Sequence, residues 1–421
     1  MNKKKVLVIP GGFVPYNDTV TLLSYKHLRN IDADFDVVAL QGKEDKGLKS
    51  CIENDKNFSK FKIEYVCDYN DAIATLERKN VLSGVMNIMK YCRFAKKKAK
   101  LNNYDFVYTS SIPAFTHLAG YWIKKMKGDK IKWVASFSDP LYKSPYKYDE
   151  DTLREYSLIT KIGFYIYIWI YMNAWYEKIA MKYADKIVYI CEEQRNFMIE
   201  HYENKDELLK KSMIIPLNYI KDWEIYSNLM NCKKNSSEKP RKIYHFGRIY
   251  GLRKIDNLLL ALKELKVEDP NLCYKIKFKQ YGEFNQRYKN MINELNISDV
   301  FENFDKVSYD EVMNLMVECD VLALFDTIMK DDDEQPYLPS KTLEYILLKK
   351  EVFILTTKKS PAYRIFKSLG FIPTLNNIQA IKENLKELIN NKQRVYNYDI
   401  EQYENSKATV KLKEYIESNS K

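Results

Sequence analysis

The chain has 421 residues, 46% hydrophobic and 14% aromatic, which excludes a disordered polypeptide and is long for a single core, so two domains are expected. Its net charge of +11 rests on lysine spread along the whole sequence, favouring anionic partners such as nucleotides, a phospholipid surface or nucleic acid. Seven cysteines form no CxxC pair and no metal-ligand spacing, as in a reduced cytoplasmic protein, and the apolar run Val6–Pro10 is too short for a secretory signal.

In chain order, Val6–Pro10 reads as a buried strand, and Gly11-Gly12 allows a tight turn close to a ligand. Thr19–Leu28 follows as a helix capped by Asp18, and Phe35–Leu40 as a strand. Asp71–Leu76 and a longer segment to Lys100 read as helical, the second ending in the basic run Arg93–Lys100. Phe106–Ser110, Ala114–Lys127 and Lys132–Phe137 continue as strand, helix and strand. Such alternation implies a parallel sheet, whose ligands bind at the carboxyl ends of the strands, where Gly11, Gly12 and Ser138-Asp139-Pro140 fall. Leu158–Tyr176 is apolar on every side but shorter than the ~20 residues of a membrane span. It is either a helix buried in the domain or an interfacial one with Trp and Tyr at headgroup depth. Lys186–Ile190 is the next strand, Met213–Pro216 closes the domain, and Asn231–Pro240 is the expected linker.

The second half opens with the strand Lys242–Phe246, then Gly247, then a helix marked by Leu258, Leu259, Leu262 and Leu265. Arg248, Arg253 and Lys254 are expected at the start of that helix, where the dipole disfavours cations unless an anion compensates. The other reading is a solvated basic loop. Tyr274–Gln280 leads as a strand into Tyr281-Gly282; Asn285–Leu295 is a helix, and Ser308-x-x-Glu311 caps another. After the strand Val321–Phe325 and the loop Asp326–Pro339 comes the helix Ser340–Lys349. Ser340 can cap it, leaving the amides of Lys341, Thr342 and Leu343 for phosphate, while Glu344 can accept the hydroxyls of a ribose. An ordinary first-turn glutamate is the plainer reading. Val352–Leu355, Pro361–Leu369, Ile378–Asn390 and Glu401–Ser418 complete the chain. His27, His117, His201 and His245 show no ligand spacing, so no metal site is expected; Asp331-x-Asp333 is a metal-binding DxD or a solvated acidic turn.

HFGRIYGLRKIDNLLLAL, FKQYGEF, CDVLALFD and YLPSKTLEYILLKKEVFIL, in this order, resemble family 4 retaining glycosyltransferases, and VLVIPGGFVPYNDT, DFVYTSSIPAFTHLAG and YADKIVYICEEQRNFM extend the likeness over nearly the whole chain. The resemblance implies the GT-B fold, two Rossmann-like domains facing across a cleft with the final helix crossing back to the first. It implies an acceptor-binding domain over 1–230, a nucleotide-sugar domain over 241–395 and a returning helix over 396–421. A hexosyl group would pass from a UDP- or GDP-linked donor to a glycan or polyprenyl-linked acceptor in bacterial surface polysaccharide synthesis, without cofactor, metal or nucleic acid. The enzyme would be cytoplasmic, with an anionic membrane face as a further partner. Arg248 matches the diphosphate-binding arginine, Arg253 stands where many members have lysine, and Glu344 matches the second glutamate of the E-x7-E motif. Gly11, Gly12, Gly247, Tyr281, Gly282, Ser340, Lys341 and Thr342 join them as donor-binding candidates, and Asp139 lies where relatives place a His or Asp facing the acceptor. The first glutamate of the motif is replaced by Pro336, with Asp333 and Glu334 as neighbouring substitutes. A GT-B sugar-nucleotide epimerase and a metal-dependent glycosyltransferase are the alternatives.

Overall fold

The computed structural model describes residues 3–16, 19–44, 46–68, 81–148, 171–230, 240–329, 335–390 and 396–418. Asp18, the expected helix Asp71–Leu76, most of the apolar segment before Tyr171, the linker, and Asp331, Asp333 and Glu334 lie outside the described residues.

The alternation of strand and helix signals builds two parallel sheets. In the first, β1 (Lys4–Gly11), β2 (Ala33–Gln41), β3 (Phe61–Asp68), β4 (Phe106–Ser110), β5 (Lys132–Ser136), β6 (Lys186–Tyr189) and β7 (Ser212–Ile214) lie in the order 3-2-1-4-5-6-7. In the second, β8 (Arg241–Phe246), β9 (Ile276–Tyr281), β10 (Phe301–Phe304), β11 (Val321–Phe325), β12 (Glu351–Thr356) and β13 (Thr374–Leu375) lie in the order 10-9-8-11-12-13. The second order repeats the first six positions of the first, which has β7 as an added edge strand. Each reverses once, between β1 and β4 and between β8 and β11, and at such a switch point the loops part to leave a crevice at the carboxyl ends.

Helices α1 (Thr19–Leu28), α2 (Val81–Leu101), α3 (Thr116–Lys127) and α4 (Asn173–Tyr183) belong to the first sheet. The second carries α5 (Glu224–Met230), α6 (Asp256–Glu268), α7 (Gln286–Glu294), α8 (Thr342–Leu348), α9 (Pro361–Ser368) and α10 (Ile378–Asn390). Strands β4 and β11 are buried along their whole length, which is why they read as unbroken apolar runs. Leu258, Leu259, Leu262 and Leu265 of α6 enter one core with Phe278 and Ile381, each burial worth about 1.5–3 kcal/mol.

The described residues up to Trp223, together with those from Glu401, form one compact unit; Glu224 to Ile400 form the other. Helix α5, expected in the first domain, thus belongs to the second, where it packs against α8 and buries Tyr226 and Leu229. Likewise Tyr396 stacks on Phe371 at 3.9 Å and keeps the segment before Glu401 with the second unit. The final helix α11 (Val410–Ser418) lies on the first, where Glu417 accepts from the Asp32 amide (2.8 Å) and Tyr415 meets the edge of Phe106.

Candidate functional site

In the second unit, three neighbouring strands end in aromatic residues in register, Phe246, Tyr281 and Phe304. The Tyr281 ring stacks between the other two at 5.5 and 5.1 Å, so its side chain belongs to this ladder and the backbone after it turns towards the strand ends. There Gly282 has φ +132°, and a Cβ on it would come within 2.6 Å of the Gly247 oxygen. Only glycine fits. The Gly247 carbonyl accepts from Gln280 Nε2 at 2.6 Å and its amide donates to the Tyr281 carbonyl at 3.0 Å, which fixes the two glycine turns against each other.

The expected helix start is corrected by the structure. Helix α6 begins at Asp256, so Arg248, Arg253 and Lys254 stand in the loop before it. The reason is local: Gly251 takes a left-handed conformation (φ +55°) and the Arg253 amide closes a turn onto the Tyr250 carbonyl at 3.0 Å. Asp256 is then held by the Tyr288 hydroxyl (2.8 Å) and by Arg287. Arg248 Nε pairs with Glu283 at 2.7 Å, both side chains being mostly exposed. Arg253 Nη1 donates to the Arg248 carbonyl at 3.2 Å, whereas its buried Nε–H has no partner.

Beneath this loop lies His245, which the sequence analysis sets aside. Its Nδ1 is 2.9 Å from the Ala323 carbonyl, which can only accept, so Nδ1 carries the proton. The same carbonyl takes the Tyr345 hydroxyl at 3.2 Å, which draws α8 onto the ends of β8 and β11. Burial lowers the His245 pKa to about 3, leaving a neutral ring with a bare Nε2 lone pair. That Nε2, Arg253 Nε, Thr342 Oγ1 and Glu344 Oε2 are all buried and without a hydrogen-bond partner. Such atoms cost about 1–3 kcal/mol each when left unsatisfied; His245 and Arg253 both border Gly247 at the end of β8, and Thr342 and Glu344 lie in the first turn of α8.

Helix α8 begins at Thr342, with Lys341 as its N-cap and no side-chain cap. Ser340 is exposed and does not cap it, because the Thr342 amide is taken by the Pro339 carbonyl (3.0 Å) in a preceding turn. This turn follows from the anchoring of the loop. Gln335 points inward, its Nε2 donating to Asp326 Oδ1 at 2.6 Å, and its Oε1 accepts from the Tyr337 amide. Asp326 also accepts from the Thr327 amide (2.8 Å), the Thr356 hydroxyl (2.7 Å) and Ser360. Burial pushes its carboxyl above the usual range against those hydrogen bonds. Pro336 is buried in the same anchored stretch and offers no carboxylate. Asp326, Gln335, Gln280 and Glu283 escape the sequence analysis. A legible signal exists for His245, which alternates with Ile243 on a buried strand face, and for Asp326, the polar residue ending an apolar strand.

In the first unit Gly11 has φ +80°, and a Cβ on it would lie 2.3 Å from Pro113 Cδ, so the ends of β1 and β4 touch through glycine. Gly12 follows it. Ser138 donates its amide to Ser111 Oγ at 3.3 Å, joining the end of β5 to the same rim, and half-buried Asp139 comes next. The turn is braced by buried Glu177 of α4, which accepts from the Leu141 and Tyr142 amides (2.7 and 2.9 Å) and the Tyr202 hydroxyl (2.8 Å). Gly11, Gly12 and Asp139 therefore belong to one unit, and Gly247, Arg248, Arg253, Tyr281, Gly282, Lys341, Thr342 and Glu344 to the other. Among the described residues no cluster of His, Cys, Asp and Glu has metal-site geometry.

Two Rossmann-like parallel-sheet domains of this order make the GT-B architecture. The chain is similar in structure to sucrose-phosphate synthase from Thermosynechococcus elongatus (TM-score 0.60, 9% identity, 99% of each chain covered). It is likewise similar to the lipopolysaccharide outer core galactosyltransferase WaaB (TM-score 0.56, 12% identity, 99% of this chain and 100% of that one). A third likeness is to UDP-GlcNAc 2-epimerase from Neisseria meningitidis bound to UDP-GlcNAc (TM-score 0.52, 14% identity, 99% and 100%). Likeness at such identities establishes the fold. No protein-family model and no curated protein sequence matches the chain.

Proposed function

We propose that the chain is a glycosyltransferase of the retaining family 4 type that takes a UDP- or GDP-linked hexose as donor. The observation that carries this reading is the set of unpartnered buried atoms on His245 and Arg253, which border Gly247 at the end of β8, and on Thr342 and Glu344 in the first turn of α8, with the exposed cation of Arg248 in the loop that follows β8. A nucleoside diphosphate matches it: phosphate oxygens accept from the two arginines and the ribose hydroxyls donate to Glu344. In transfer, the bond from the sugar carbon to the diphosphate oxygen breaks and the acceptor hydroxyl bonds to that carbon on the same face. The hydroxyl proton passes to the departing phosphate. Arg248 and Arg253 stabilise the charge growing on that group, a role that asks for no metal ion, and Asp139 orients the acceptor.

The acceptor we assign is a glycan or polyprenyl-linked oligosaccharide of bacterial surface polysaccharide synthesis, reached at the cytoplasmic face of the membrane. Among the described residues no helix is long and apolar enough to cross a membrane. Helices α2, α3 and α4 support surface attachment: they carry many lysines, and their one carboxylate, Glu177, is buried. Lys96 lies over Trp122 and Lys125 over Tyr183, while Met86, Phe94 and Trp175 are exposed.

A panel of nucleotide sugars screened by thermal shift, followed by transfer assays with EDTA present, tests the reading. A cognate donor at a hundred times its Kd adds about 2.7 kcal/mol of stability. Donor consumption that requires an acceptor and survives EDTA supports it. Isomerisation of the donor sugar with no acceptor present moves the assignment to an epimerase, and activity restored only by Mg²⁺ or Mn²⁺ moves it to metal-dependent transfer. A panel that leaves the melting temperature unmoved removes it.

A further inference from the structure

We infer that His245 is a positioning residue for Arg253: in the anion-bound state its bare Nε2 accepts the Arg253 Nε–H and aims the guanidinium at the diphosphate. This rests on the reading of Arg253 as a phosphate contact. Two complementary defects adjoin the same glycine. A Cβ built on Gly247 would lie 3.6 Å from His245 Nε2 and 3.8 Å from Arg253 Nη1, so both side chains border the space that the glycine leaves empty. One presents a buried lone pair without a donor, the other a buried N–H without an acceptor.

His245 cannot turn to find another partner. Its Nδ1–H is held by the Ala323 carbonyl at 2.9 Å, its ring stacks on Phe325 at 4.4 Å, and it is 4% exposed. Arg253 can turn. Its Nη1 donates to the Arg248 carbonyl at 3.2 Å, a backbone group of the loop it sits in. A phosphate drawing the two terminal nitrogens outward would leave Nε–H to face the imidazole. Arginine holds both bonds at once because its donors form a rigid fork, and the neutral imidazole supplies an acceptor without adding a competing anion. The adjacent charged or titratable groups do not fill this role. Asp326 is engaged by Gln335, Thr356 and Ser360, and the Tyr345 hydroxyl is given to Ala323. Glu344 Oε2 is a second unpartnered acceptor, and in this assignment it serves the ribose.

The test is a double-mutant cycle read by calorimetric binding of UDP and GDP as probes. His245→Asn keeps a donor for Ala323 but has no acceptor at the Nε2 position. It is expected to weaken binding of the cognate probe about ten- to a hundredfold, the scale of one hydrogen bond to a charged group. In an Arg253→Ala or Arg253→Lys background, the latter carrying all its N–H donors on one terminal nitrogen with none at the Nε position, the same change should have no further effect. Equal losses in all backgrounds would overturn the inference while leaving the nucleotide site standing; a wild type that binds neither probe would remove both. Should His245→Asn melt early, nitrogen NMR of the wild-type imidazoles replaces it. The His245 Nε2 signal should move when the probe is added and stay put in Arg253→Lys, and a signal that moves alike in both proteins contradicts the pairing.

Discussion

Arg248 gives its charge to Glu283 across 2.7 Å, with the two side chains 66% and 70% exposed. A pair so open to solvent contributes no more than about 1 kcal/mol, so a diphosphate can displace the carboxylate. Glu283→Gln is therefore expected to tighten UDP or GDP binding by up to about fivefold in a titration, the equivalent of that energy. Arg248→Ala acts in the other direction. The side chain leaves a loop and fills no core, so melting without ligand should stay within about 0.5 kcal/mol of wild type. Its kcat/KM should nevertheless fall about a hundred- to a thousandfold, as for one lost donor at a developing charge. Arg253→Ala should do the same, whereas Glu344→Gln should raise KM more than it lowers kcat. Normal rates in both arginine variants would detach transfer from this loop.

The stretch from Gln335 to α8 shows what an element owes to a distant anchor. Gln335→Ala takes one of four donors from buried Asp326 and frees the turn that sets the start of α8. We expect a loss of about 1–3 kcal/mol in urea unfolding and a raised KM for the donor through Glu344. This is also where the sequence was hardest to read. Ser340 before an apolar helix satisfies every local rule for a cap, yet Pro339 and the Gln335 anchor place the turn so that the serine faces solvent. Leucine spacing located α6 correctly, but the left-handed turn at Gly251 pushed its start beyond the arginines. Strand positions along the chain and the glycine turns were legible because apolar runs and glycines are local signals. The Gln335–Asp326 and His245–Ala323 contacts were not, since each joins chain segments by tertiary packing alone. For α2 to α4, each lysine near an anionic surface is worth about 1 kcal/mol and is screened by salt. Co-sedimentation with phosphatidylserine vesicles should thus be strong at low salt and fade as salt rises; no binding at low salt would leave these helices an ordinary solvated face.

At the scale of the molecule, the first unit is built from chain that comes both before Glu224 and after Ile400 in the sequence. Buried Asn405 donates to the Lys26 carbonyl (2.7 Å) and Asn218 Oδ1 (2.8 Å) and accepts from Asn30 (2.8 Å). Asn405→Ala strands these groups and should lower the unfolding free energy by about 3 kcal/mol. Nearby, Arg29 Nε meets Asp55 at 2.5 Å and Trp223 Nε1 donates to the same carboxylate at 3.2 Å. Burial alone would raise the Asp55 pKa, but Arg29 and the Asn57 amide outweigh it and hold the carboxyl below the usual range. A depressed carboxylate contributes stability above its unfolded pKa, about 3.9, and loses it as the pH falls through the folded value. Urea midpoints should drop more between pH 5 and pH 2 in the wild type than in Asp55→Asn. Synthesis order gives the arrangement a further consequence. Everything from Glu224 to Ile400 leaves the ribosome before Asn405 does, so the second unit can close while the first still lacks its last piece. The nascent amino-terminal half must therefore wait, incomplete, through the making of an entire domain, and protease resistance of arrested nascent chains should appear first in the second unit.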